Sequence, residues 1–358
     1  MKKTYFTPGP AEMYPTVEKH FQQAFNEQLG SISHRSQKFR DIYRFTADQL
    51  RILLNIPESA GIFFMGSATE IWERILQNCV EHESFHLVNG SFSSKFRDFS
   101  NQLHKYAHTF EKPLGEGFSF AEINVPEYAE LIACTANETS TGVQMRVEDI
   151  HKLKRSNKDK FVVVDMVSSA PYHDLDLALV DSAFFSVQKS FGMPAGLGVW
   201  IANEAMLEKA ERMQKHEGTT IGTYHTLLSL WSNFKKHETP ETPNVIAIYV
   251  LGKVAEDMNK IGVKNSRRET EEKAKALYQF AEESNNFEIF VQNPAHRSQT
   301  VVVLNTENSN EVIERGKKQN MIIGSGYGKD KDKQIRIANF PAVNKAQVEA
   351  LIEVLKGL

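Results

Sequence analysis

Phe161-Val162-Val163-Val164-Asp165-Met166-Val167-Ser168-Ser169 precedes Asp181-Ser182-Ala183-Phe184-Phe185-Ser186-Val187, which runs into Gln188-Lys189-Ser190-Phe191-Gly192-Met193-Pro194-Ala195-Gly196-Leu197-Gly198. Each apolar run is short, rich in β-branched or aromatic residues, and closed by polar or turn-forming residues. That pattern reads as two buried strands. The first carries Asp165 at its C-terminal end, and the second carries Lys189 just past its own. In an open α/β sheet the ligand crevice lies at the carboxyl ends of the strands. A carboxylate and an amine are therefore expected to meet there.

Further apolar runs at 61–65, 84–88, 131–134 and 197–202 alternate with helical patterns at 70–80, 93–102 and 147–154. This alternation predicts an α/β fold with a mostly parallel, doubly wound sheet. Pro240 and Pro243 break the pattern, and a long helical stretch follows over 245–261. Beyond it the periodicity gives helix 268–284, strand 299–305, helix 310–319, strand 334–338 and helix 344–355. The expected organisation is an N-terminal segment (1–14), a large domain (15–244) and a small α+β C-terminal domain (245–358). The chain's 358 residues suffice for two cores, and its 41% hydrophobic and 24% charged content is ordinary for a globular protein. A net charge of −3 gives no basis for a nucleic-acid or membrane-surface partner. No apolar run approaches the ~18 residues that span a bilayer. Two cysteines and no signal-peptide pattern point to the cytoplasm.

Chemistry narrows the ligand. An Asp and a Lys at adjacent strand ends suit a cofactor with a ring nitrogen and an aldehyde, and pyridoxal phosphate has both. Asp165 would keep the ring nitrogen protonated, although a strand-end or capping Asp has the same pattern. Lys189 is followed by small, apolar, turn-forming residues, a setting that lowers a lysine pKa as Schiff-base lysines require. Gly66-Ser67-Ala68-Thr69 joins the 61–65 strand to a helix, which is an anion site by its free N–H groups and dipole. A serine N-cap without ligand reads the same way. Phe92 is expected on a loop at the end of strand 84–88, where its ring could stack on a planar cofactor or fill the core. Asn137-Glu138-Thr139 is a polar cluster at another strand end. His82 and His86 are not expected to share a helix face, so no metal site is assigned. Gly324-Ser325-Gly326-Tyr327-Gly328 lacks a following helix, and Lys329-Asp330-Lys331-Asp332-Lys333 reads as a solvated loop.

These residues resemble a known family: the class V branch of fold type I pyridoxal-phosphate enzymes, most of all its phosphoserine aminotransferases. The likeness covers most of the chain. It is carried by Gly9-Pro10, Ser33-His34-Arg35-Ser36, Gly66-Ser67-Ala68-Thr69, Asn89-Gly90-Ser91-Phe92-Ser93, Asn137-Glu138-Thr139, Asp165, Gln188-Lys189, Pro194-Ala195-Gly196-Leu197, Thr242-Pro243 and Arg336.

The resemblance implies a fold type I large domain with a small C-terminal domain, and transamination of amino acids and 2-oxo acids. Lys189 would bond to the cofactor aldehyde, and Asp165 would pair with the ring nitrogen. Phe92 would stack on the ring, and Ala68 and Thr69 would hold the phosphate. Thr139 and Gln188 would make polar contacts. Glu241 and Thr242 would lie against the cofactor of a second subunit, so a homodimer with shared sites is implied. His34 and Arg35 would bind the substrate's distal acid across that interface, and Arg336 its α-carboxylate as a bidentate fork.

Four positions depart from the phosphoserine enzymes, Thr69 among them, where some members carry an arginine. Phe92 replaces a tryptophan, Glu241 replaces an asparagine, and Tyr327 with the Lys-rich run stands where a His-Arg pair is usual. A carboxylate at 241 would repel a phosphate unless turned away or protonated. The departures keep open an alanine– or serine–glyoxylate type of aminotransferase, and a catalytically silent relative. A cysteine desulfurase is disfavoured, because Cys79 and Cys134 fall in an expected helix and strand.

Overall fold

The computed structural model describes residues 3–216 and 219–357. Val162, Val163 and Val164 are all buried, yet they belong to two different cores. Val162 and Val164 join one apolar cluster, while Val163 joins another with Phe63, Phe184 and Trp200. Period-2 alternation thus places a sheet between two apolar layers. Its seven strands lie in the order Gly61–Met65, Gly198–Ala202, Ser182–Ser186, Phe161–Asp165, Leu131–Thr135, Glu83–Val88 and Tyr106–Glu111. Ladders on the Tyr106–Glu111 side of Ser182–Ser186 are parallel, and Gly198–Ala202 runs antiparallel to both of its neighbours. The reversal follows from the connection: a short turn from Ser186 to Gly198 cannot make a parallel crossover. That turn carries Lys189.

Helices cover both faces. Gln37–Leu54 and Val245–Ile261 pack together on one side, and Ala68–Cys79 with Glu204–Gln214 on the other. Ala68–Cys79 starts where Ser67 Oγ accepts from Glu70 N–H at 3.1 Å, and it buries Ile71, Trp72, Ile75 and Leu76 along one stripe. A second sheet has the order Thr4–Phe6, Met321–Ser325, Gln334–Ala338, Val301–Asn305 and Glu288–Ile289, with its own core.

Several expectations change. Phe92 does not sit on a loop but in the first turn of helix Ser91–Gln102. The 245–261 helix contributes Val245, Ile248, Leu251 and Val254 to the core of the large sheet. Thr4–Phe6 is a strand of the small sheet, paired with Met321–Ser325. Helix Val263–Glu283 begins five positions before the expected start at 268. Tyr106–Glu111 escapes sequence reading because it is an edge strand whose residues are exposed or half-buried, so no continuous apolar run marks it. Among the described residues, no helix is long and apolar enough to cross a membrane.

Candidate active site

The C-terminal ends of the parallel strands open into a cavity of about 340 Å³. Gly61–Met65 delivers Ser67, Ala68 and Thr69. Phe161–Asp165 delivers Asp165, and Ser182–Ser186 delivers Gln188 and Lys189. Phe92 and Thr139 arrive from two more strand ends. Sequence-distant residues converge here because consecutive parallel strands point the same way.

Asp165 is 4% exposed. Its Oδ1 accepts from Val167 N–H at 2.8 Å, and its Oδ2 from Trp72 Nε1–H at 3.2 Å. Burial outweighs these bonds and raises the carboxyl to about 7. Lys189 is 7% exposed, and burial, aided by the Arg336 guanidinium, lowers its ammonium to about 8. Its Nζ donates to Pro8 O and lies 5.7 Å from the Phe92 ring centre. Gly9 covers the amine with φ +141°, and an added Cβ would overlap Nζ. Only glycine meets both demands at this close approach.

At the turn, Ala68 N–H donates to Ser186 Oγ at 2.9 Å, and Glu70 reaches back to accept from Gly66 N–H at 2.9 Å. Thr139 is buried, and its hydroxyl bonds Ser168 Oγ at 2.9 Å. Arg336 donates through Nε to Ser325 O at 2.8 Å and through Nη1 to Thr139 O at 3.2 Å. Tyr327 connects the far side: its ring centre is 5.2 Å from the Arg336 guanidinium and 5.6 Å from that of Phe92.

Not every expected residue joins the cavity. Arg35 pairs with Glu238 at 2.6 Å, His34 is half-buried, and Thr242 is exposed, all outside the cavity lining. Glu241 turns its carboxylate to His225 Nε2 at 2.8 Å. Four contributors were given no role by the sequence, although Glu138 stood in the polar cluster at 137–139. Trp72 reads as a core aromatic, yet it holds Asp165. Buried Glu138 accepts from Ser93 N–H at 2.9 Å and Phe92 N–H at 3.4 Å, anchoring the helix start that carries Phe92. Lys95, one turn after Phe92, donates to Tyr327 Oη at 3.3 Å. His225 is the fourth. A helix-face count from Phe92 to Lys95 could have flagged that lysine.

Comparison with known proteins gives one consistent set of relatives. Residues 116–326 match the class-V aminotransferase family. The solved structure of a phosphoserine aminotransferase from Cytophaga hutchinsonii is 48% identical, with a TM-score of 0.97 over 99% of this chain and 98% of that one. A phosphoserine aminotransferase of Nocardioides is 29% identical over 97% of this chain and 92% of its own length. An alanine–glyoxylate aminotransferase from Nostoc shares the fold at 21% identity, with a TM-score of 0.83 over 100% of this chain and 95% of its own.

Proposed function

The chain belongs to the class-V aminotransferases, and we propose that it moves the amino group of glutamate to 3-phosphohydroxypyruvate, forming O-phosphoserine and 2-oxoglutarate. The observation that carries this substrate assignment is the 48% identity to a phosphoserine aminotransferase along nearly the whole chain. The reaction is a step of serine synthesis. We assign the protein to the cytoplasm, which agrees with two buried free thiols.

The residues present fit pyridoxal phosphate. A buried carboxylate at one end suits a protonated ring nitrogen, a flat aromatic suits the ring, and a helix start with Ser67 and Thr69 suits the phosphate. When bound, the cofactor supplies an aldehyde and an electron-accepting ring that stabilises negative charge at the substrate α-carbon.

This chain's residues would then act as follows. Asp165 holds the proton on the ring nitrogen, and a cation beside it reverses the burial effect on its carboxyl. Lys189, near 8, has free amine available around neutral pH. It would hold the cofactor at its aldehyde and carry the proton to and from the substrate α-carbon. Phe92 covers one face of the ring and keeps water from it. Thr139 and Gln188 add polar contacts. Arg336, already oriented by Ser325 O and Thr139 O, grips the α-carboxylate. Lys95 at the Tyr327 edge takes the place of the absent His-Arg pair toward the substrate phosphate.

We further propose a homodimer. His34, Arg35 and Thr242 lie outside their own chain's cavity, which suits a role toward a second copy's site. A groove along the N-terminal segment, with Met13 and Phe25 exposed, offers an apolar face for that copy.

Single-substrate half-reactions test the assignment. O-phosphoserine and glutamate should each convert the bound cofactor's absorbance to that of the amine form. Conversion by alanine or serine, with none by O-phosphoserine, would make the substrate assignment wrong.

A further inference from the structure

Beside the phosphate turn a buried histidine sits between two half-buried carboxylates, and this cluster takes no part in the steps above. The histidine, His225, is 4% exposed. Its Nδ1 bonds Glu70 Oε1, and its Nε2 bonds Glu241 Oε2 at 2.8 Å. Glu70 stands in the first turn of helix Ala68–Cys79, and its second oxygen accepts from Gly66 N–H at 2.9 Å. Glu241 immediately precedes Thr242. One imidazole therefore ties the turn to the segment that carries Thr242.

The protonation state follows from the bonding. A neutral imidazole has one N–H donor, whereas two carboxylate partners require two. Burial alone would pull the imidazolium down. The hydrogen bonds it donates to Glu241 and Glu70 overcome it and lift the group to about 9. The other groups facing the cluster include Arg74, a further cation on the same helix as Glu70, the buried Tyr43 phenol toward Glu241, and the Tyr224 ring, 4.0 Å away centre to centre.

We propose that His225 is a positioning residue for the cofactor phosphate, acting as a cation that holds Glu70 on the turn and neutralises Glu70 and Glu241. Resting on the pyridoxal-phosphate reading of the Ser67–Thr69 turn, this explains how a carboxylate is tolerated at 241. Its charge is spent on His225 instead of facing a phosphate dianion. It also explains why Glu70 can lie so near that turn. Without the cation, two uncompensated carboxylates would weaken phosphate binding by Coulomb repulsion in a partly desolvated site.

Cofactor-free protein is titrated with pyridoxal phosphate and, separately, with pyridoxal, which lacks the phosphate. Binding is followed by fluorescence quenching, and folding by circular dichroism. His225→Gln should weaken pyridoxal phosphate about tenfold or more while leaving pyridoxal within about twofold. Glu241→Gln alone should bind pyridoxal phosphate as tightly as wild type or tighter. The His225→Gln/Glu241→Gln double variant should recover part of the lost affinity, because one repelling charge has gone. A purely structural histidine would show no such recovery. Equal loss for both ligands, unchanged binding in folded His225→Gln, or looser binding in Glu241→Gln alone overturns the proposal. Wild-type protein that takes up neither ligand overturns the functional reading as well.

Discussion

Asp165 and Lys189 are 4% and 7% exposed at the floor of the cavity, whereas Lys95 and Thr242 are exposed and lie outside its lining. The floor is made of strand ends from one rigid sheet, each side chain held by buried partners. The rim comes from Lys95 on helix Ser91–Gln102, Arg336 on the small sheet, and Tyr327 between them. Burial shifts protonation where a proton must move, which raises Asp165 and lowers Lys189. A cation that only attracts a charged substrate gains nothing from desolvation and works at the surface. In the function we propose, the floor would set the reaction class and the rim the substrate.

The sharpest way to break this division is Lys189→Ala. Turnover should fall ~10⁴-fold or more, and the absorbance of lysine-bound cofactor should vanish. Turnover within tenfold of wild type would mean that the floor is not where the reaction occurs.

Asp165→Asn comes next and separates function from stability. Transamination should slow ~10²–10³-fold. Cofactor-free protein should instead become more stable than wild type at pH 8. The folded carboxyl at about 7 lies above its ordinary value of 3.8, so its burial is harmless below about 4 and costs stability as pH rises through 7. The gain should reach at most about 4 kcal/mol at pH 8 and fade toward pH 4, measured by urea unfolding. A gain independent of pH would refute the burial of an ionising group.

Lys95→Met should have the smallest effect, and only at the rim. KM for O-phosphoserine should rise about tenfold, with the half-reaction of unphosphorylated serine unchanged and Lys95→Arg restoring the first. An equal change for both substrates would move Lys95 from specificity to architecture.

Much of the floor was legible in advance. Asp165 and Lys189 stood out because strand-end position is a local property, read from a short apolar run and what closes it. The Ser67 turn was legible because capping is also local. Phe92 was found but assigned to a loop, since Gly90 and Ser91 look like turn residues. Glu138, distant in sequence, makes them a helix start. Lys95 carried no signal beyond its spacing from Phe92, because an exposed lysine on a helix is ordinary. His225 was invisible, having one carboxylate partner 155 residues away.

By itself the sequence determined the alternation of strands and helices, the strand-end Asp and Lys, the capped turn and the family they resemble. All are encoded by periodicity and neighbours along the chain. Only the tertiary structure decided that Gly198–Ala202 also pairs with Gly61–Met65, that Trp72 holds Asp165, that Gly9 covers Lys189, and that Glu241 turns to His225. These are contacts between segments far apart in the chain. Their partners are chosen by sheet order and by the need to satisfy buried polar groups, which no local pattern records.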